Sequence, residues 1–278
     1  MSVTNKHVRR PAVAGLFYQA DPAKLRDEVS GLLDNTTTQF SGGQPRGLIV
    51  PHAGYRYSGY VAAEAFATIR GMSYHTVLIL SPSHHDYFHG ISVIRESYRT
   101  PLGDVPVALE AVDRILDRCA LCKINILGHR DEHGIEVELP FLQVVLKNEF
   151  SIIPLVFGTQ DNETIHALSE ALTPFAGDPG VLLVASSDLS HFYNAVEGEK
   201  KDSIFLENVT AMDDDALYTN IKTRKTEACG YGPVLAVMHA MKKNGITDSR
   251  ILMYRHSGHV SGDFDEVVGY AAGLFYKH

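Results

Sequence analysis

The 278 residues carry 25 Lys and Arg against 33 Asp and Glu, a formal net charge of −8 with histidine neutral, and 45% of them are hydrophobic. That composition excludes disorder as the main state, and the lack of any run of about 18 apolar residues excludes a membrane-spanning helix. An acidic chain without a large basic cluster is also a poor general binder of nucleic acid.

In chain order, the residue pattern predicts a helix over 22–33, a polar loop over 35–44, a strand over 47–50 and a helix over 58–70 with Ser58 as its N-cap. Strands follow over 76–80 and 91–94, then helices over 106–118 and 135–146. A strand over 151–157, a helix over 162–172 and a strand over 181–185 come next. Helices over 195–210, 213–223 and 232–244 precede a strand over 251–254. The stretch 267–276 is nearly apolar but interrupted by Gly269 and Gly273, and it receives no assignment. Strands separated by helices predict an α/β fold: a single layered domain over 1–278 with a central, mostly parallel or mixed sheet flanked by helices.

Three cysteines, Cys119, Cys122 and Cys229, fit no disulfide framework in a chain of this length and point to a reducing compartment. Cys119 and Cys122 form a lone CxxC, read as two small apolar residues near a helix end. The opening HVRRPAVAGLFYQADP is too short in its apolar part, and too broken by Pro11, Gly15 and Gln19, to be a signal peptide. The expected location is the cytoplasm.

Ligands of open α/β sheets sit beyond the carboxyl ends of the strands. Strand 47–50 runs into Pro51-His52-Ala53-Gly54-Tyr55, strand 76–80 into Ser81-Pro82-Ser83-His84-His85, and strand 181–185 into Ser186-Ser187-Asp188-Leu189-Ser190-His191. If these strands are neighbours, three imidazoles converge on one cleft. His84 and His85 are adjacent and point opposite ways on extended backbone, so one of them faces the cleft, and the residues do not choose between them. Asp188 lies three residues before His191. It either orients that imidazole as a base or metal ligand, or caps a helix. His133 precedes a helix-like run whose Glu136 and Glu138 suit the helix dipole, and it is a substrate contact, a donor behind the cleft or a simple cap. Cys229 is a small buried filler, a nucleophile or a thiolate ligand. His256 and His259 share a segment near a strand's carboxyl end that could bind a metal or an anion, though its Gly and Ser content reads as a flexible surface loop.

Eight segments then occur in order along nearly the whole chain: PAVAGLFY, PHAGYRYSG, LSPSHH, EHGIEVELPF, IIPLVFG, SSDLSHF, ACGYGP and GYAAGLF. Together they resemble the Memo family, the B component of the AmmeMemoRadiSam system. The resemblance implies the fold of class III extradiol dioxygenases, non-haem iron enzymes that open catechol rings. It implies a metal site of His52, His84 and Cys229, holding iron (Fe2+), with copper or zinc as alternatives. It places Asp188, His191 and His133 in the cleft as catalytic residues, His191 matching the acid/base histidine. Where the ring-cleaving enzymes use a carboxylate as third ligand, this chain has Cys229, a softer and oxidisable donor. That difference argues against ring cleavage itself.

Three readings follow. The first is a metalloprotein with O2-dependent or redox activity on a small-molecule substrate, with His191 shuttling the proton. The second is a non-catalytic binding or scaffold protein whose cleft captures a peptide or a partner protein, AmmeMemoRadiSam proteins included. The third is a hydrolase with Cys229 as nucleophile and His191 as base.

Overall fold

The computed structural model describes residues 8–278. The first half of the chain lays down β1 (Val8–Arg9), α1 (Pro22–Asp34), β2 (Gln44–Val50), α2 (Tyr55–Ala67), β3 (Thr76–Pro82), β4 (Ile91–Val93), β5 (Ser97–Thr100), β6 (Gly103–Val105), α3 (Leu109–Arg118) and β7 (Cys122–Ile124). A 3-10 turn at Glu136–Glu138 leads into α4 (Leu139–Val145), followed by β8 (Ser151–Phe157), α5 (Asn162–Ala176), β9 (Val181–Ser186) and β10 (His191–Tyr193). The last third holds α6 (Ala195–Thr210), α7 (Asp214–Lys222), α8 (Tyr231–Lys243), β11 (Asp248–His256), α9 (Gly258–Ser261) and β12 (Val267–Lys277).

The result is an α/β fold around a mixed sheet ordered β10-β12-β2-β9-β3-β8-β4-β7, with β11 on the other edge of β12; β1, β5 and β6 form a small second sheet. Strands β2, β9, β3 and β8 are parallel neighbours. Buried throughout, β3 (TVLILSP) and β9 (VLLVAS) are nearly continuous apolar runs, as central parallel strands must be. Helices α1, α2 and α4 pack together, and α5 packs against α8. No helix among the described residues is long and apolar enough to cross a membrane.

Side-chain caps set four helix starts. Asp21, Asp161, Asn194 and Asp213 accept from the N–H groups of Lys24, Thr164, Glu197 and Ala216, satisfying donors that the helix cannot. Helix α2 departs from the predicted start. It begins at Tyr55, and Ser58 lies inside its first turn, donating to Ala53 O at 2.9 Å rather than capping. The unassigned 267–276 stretch is β12, the longest strand. A Cβ at residue 269 would lie 2.0 Å from Asp202 Oδ2, so Gly269 makes room for a buried carboxylate, and that need breaks the strand pattern in the sequence.

Glu136 and Glu138 depart further from expectation. Neither is a solvated helix-start carboxylate: both are buried, Glu136 at 0% exposure. Glu136 pairs with the Arg9 guanidinium and accepts from Ala12 N (2.7 Å), Val13 N (3.1 Å) and the Tyr18 hydroxyl (2.5 Å). It thereby fastens residues 9–18 to the segment that carries His133. Glu136→Gln leaves a buried guanidinium without its counter-charge, so unfolding in urea should show a loss of roughly 3–5 kcal/mol. A change below about 1 kcal/mol would mean that solvent already screens the pair.

Candidate metal centre

Strands β2, β9 and β3 are adjacent and parallel, with Val50 level with Ser186 and Leu80 level with Ala185. Their carboxyl ends therefore emerge side by side, and the next residues meet there. His52 follows β2, Asp188 and His191 follow β9, and His84 follows β3. The segment before the 3-10 turn adds His133. Residue 134 is glycine because of this approach: a Cβ there would lie 2.1 Å from Ser81 Oγ and 3.4 Å from His52 Nδ1.

The imidazoles of His52, His84 and His133 each offer a nitrogen, and the three nitrogens lie within 4.8 Å of one another. Ring centroids are 4.9 Å apart for His52 and His84, 5.3 Å for His52 and His133, and 4.6 Å for His84 and His133. His52 is buried, His133 half-buried and His84 the most open to solvent. Phe17 walls one side, its ring 5.0 Å from that of His133. His85 flanks the group, 6.3 Å from His133.

Hydrogen bonds fix which nitrogen the His52 and His84 rings offer. Glu132, 3% exposed, takes His84 Nδ1 at 2.8 Å and His133 Nδ1 at 3.2 Å on its Oε1. The same carboxylate accepts from the backbone N–H groups of His84 (2.6 Å) and His133 (2.8 Å). His52 Nδ1 lies 2.8 Å from Ser186 Oγ, whose own proton goes to Gly134 O (2.7 Å) or Glu138 Oε1 (2.8 Å). Ser186 thus accepts the His52 Nδ1 proton. The Nδ1 atoms of His52 and His84 are thus engaged, which leaves Nε2 of each as the donor for a cation, and His133 offers a nitrogen to the same point. Metal-bound histidines are held this way in general, so the donor set fits one metal ion.

Electrostatics agree with that reading. Burial, aided by the charge of His84, holds the His52 pKa down to about 3. Burial and the charge of His52 hold His133 to about 3. Both rings are therefore neutral, the form that binds metal. Burial also pushes His84 down, but the hydrogen bond and charge of Glu132 outweigh it and leave its pKa raised. Glu132 is reciprocally held at about 2, since the hydrogen bond and charge of His84 overcome its burial.

Cys229 lies against this group just before α8. Its Sγ is 3.2 Å from His52 Nε2 and accepts from Asp188 N at 3.2 Å. Burial first, then the charge of Asp188, pushes the thiol pKa up. A cation among the imidazoles would reverse that field and favour the thiolate. The imidazole beside the sulfur is that of His52, whereas the hydrolase reading pairs it with His191. The Asp188 carboxylate accepts from His52 N at 2.8 Å, so its hydrogen bond supports the β2 exit rather than the His191 ring. No helix follows Asp188 for it to cap. His191 opens β10, half-buried, its N–H donating to Glu227 Oε1 at 3.1 Å. It sits near enough for its charge to act on His52 and Asp188.

His256 and His259 form a separate cluster rather than a surface loop. His256 ends β11 at 1% exposure, its ring 3.9 Å from that of His259. Sequence reasoning missed Glu132 and Ser186. The acidic residue directly before His133 was the available signal for the first, and strand register alone reveals the second.

A family model described as Memo-like protein matches residues 9–274. The chain belongs to the Memo family. It is 38% identical over 267 residues to a MEMO1 family protein of Methanosarcina mazei, covering 95% of this chain and 98% of that one. It is 35% identical over 282 residues to one from Methanocaldococcus jannaschii (96% and 98%), and 34% identical over 278 residues to one from Methanopyrus kandleri (96% and 98%). The family membership predicted from the eight segments is therefore correct, and it spans the histidines, Glu132 and Cys229 alike.

Glu132→Gln removes the charge beside His84 and His133, two of the rings that could hold a metal. Affinity for Zn2+ or Co2+, read by competition with a chelator, should fall about 10–100-fold with circular dichroism unchanged. Equal affinity in variant and parent would show that Glu132 does not support the ligands.

Proposed function

We propose that this Memo-family protein binds one redox-active metal ion, Fe2+, and acts on a small substrate in an O2-dependent or redox reaction. The observation that carries the reading is the set of three convergent imidazoles, two of them anchored at Nδ1, with a thiol against one of them. In this reading His52 and His84 are ligands and Cys229 is the thiolate ligand, with His133 beside them as a cleft residue that faces the substrate. Iron so held would supply a Lewis-acidic, electron-transferring centre with open coordination positions.

The chain's own groups do the rest. Glu132 holds the His84 ring at Nδ1 and the His133 backbone at its N–H. Phe17 restricts water on the His133 side. His191, half-buried, takes or returns a proton on the substrate as the general base. Asp188 holds the His52 backbone so that the ring stays aimed inward.

Protein purified anaerobically and loaded with Fe2+ should carry stoichiometric metal by elemental analysis, and His52→Ala should lose it. In Co2+-loaded protein a sulfur-to-cobalt charge-transfer band should appear in the near ultraviolet and vanish in Cys229→Ser. Metal retention without that band would make His133, not Cys229, the third ligand. A failure to retain any metal would end the reading.

One observation favours a second reading, capture of a peptide or partner protein, AmmeMemoRadiSam proteins among them. Leu16, Tyr87 and Phe192 are 79%, 89% and 71% exposed, and each lies within three residues of Phe17, His84 or His191 in the sequence. Phe192 also holds a φ of 63°, an unusual left-handed conformation for a bulky residue. If His52→Ala and Cys229→Ala both leave partner capture and the biological readout intact, this second reading replaces the first.

A further inference from the structure

One motif of the sequence takes no part in the centre described above, Cys119-Ala120-Leu121-Cys122. Cys119 ends α3 as its C-cap and Cys122 opens β7. The Cys122 N–H donates to Cys119 O at 3.0 Å, so the four residues form a hydrogen-bonded turn. Such a turn keeps its first and last Cα atoms within about 7 Å, which overlaps the separation a disulfide accepts. The two thiols lie on the same turn and influence each other's ionisation, and both are free and buried. A closed thiolate metal site takes four donors. Among the described residues the close group of three or more ligating side chains is the imidazole one, so this pair lacks the further ligands a metal needs.

We propose that Cys119 and Cys122 are a redox modification site that closes to an intramolecular disulfide when the protein meets a peroxide. Cys119 sulfur attacks a peroxide oxygen and the O–O bond breaks. The thiol proton leaves with the departing hydroxide as water, and Cys119 becomes a sulfenic acid. Cys122 sulfur then attacks Cys119 sulfur; the S–S bond forms, the S–O bond breaks, and a second water leaves. Two thiols are oxidised to one disulfide while one hydrogen peroxide is reduced to two waters. The order of attack follows from the pair itself. The neighbouring Cys122 pulls the Cys119 thiol pKa down, and Cys119 together with burial pushes that of Cys122 up. Access follows from topology, since β7 is a three-residue edge strand paired to β4 alone, the kind of element that opens locally at low cost. The turn also anchors the chain just past the His84 loop, where Ile91 N donates to Leu121 O at 2.9 Å. The disulfide would therefore stiffen the base of that loop.

The test treats the native full-length protein with hydrogen peroxide, quenches it, unfolds it and alkylates the remaining thiols before peptide mapping. The expected result is a peptide lighter by two hydrogens that contains both Cys119 and Cys122, protected from alkylation and released by dithiothreitol. Cys119→Ser and Cys122→Ser should each lose that product, and the map of the unaltered protein reads the bond whether or not either variant folds. Full alkylation of Cys119 and Cys122 after a peroxide dose that oxidises Cys229 would overturn the proposal. So would a bond from either residue to Cys229 or to a second chain.

Discussion

Three imidazoles this close cannot all take up a second proton and become charged, and the site is built around that limit. Like charges a few ångströms apart in a partly dry cleft repel by several kcal/mol. Burial keeps His52 and His133 neutral, and the one ring whose pKa rises, His84, is the one bonded to Glu132. The carboxylate therefore does two jobs: it absorbs the charge that the cluster would otherwise spread, and it aims two rings.

The fold reaches this arrangement with little specialised machinery. Adjacent parallel strands bring their carboxyl ends level, and short exits from β2, β9 and β3 do the rest. The fourth contribution, His133 with Glu132, arrives from a segment outside the parallel set and is admitted because residue 134 lacks a side chain. Ser186, the last residue of β9, joins the two: it bonds His52 on one side and Gly134 O or the buried Glu138 on the other.

Much of this was legible in the residues. The strands that end at His52, His84 and Asp188 announced themselves by β-branched runs, and their histidines fell where an α/β sheet keeps its ligands. Helix ends were less legible where the cap is a glycine, as at Gly54 before α2. Strand β12 was hidden because Gly269 yields to Asp202, a partner 67 positions earlier in the numbering. The carboxylates were misread for a related reason. Glu136 and Glu138 sit where a helix dipole would welcome them, yet their partners, Arg9, Tyr18 and Ser186, lie far away in sequence. Local spacing carries no trace of such contacts.

The knot at Glu136 has a consequence for how the protein can come apart. The segment bearing Phe17 and the segment bearing His133 meet at that one buried ion pair, so neither can fray alone without stranding either the Arg9 cation or the Glu136 anion in the interior. Partial opening, the ordinary route by which proteins shed a bound ion, is thereby suppressed on this side. Release of anything gripped by the imidazoles is steered toward the solvent-facing His84 side, which gives the cleft a front door and no back one.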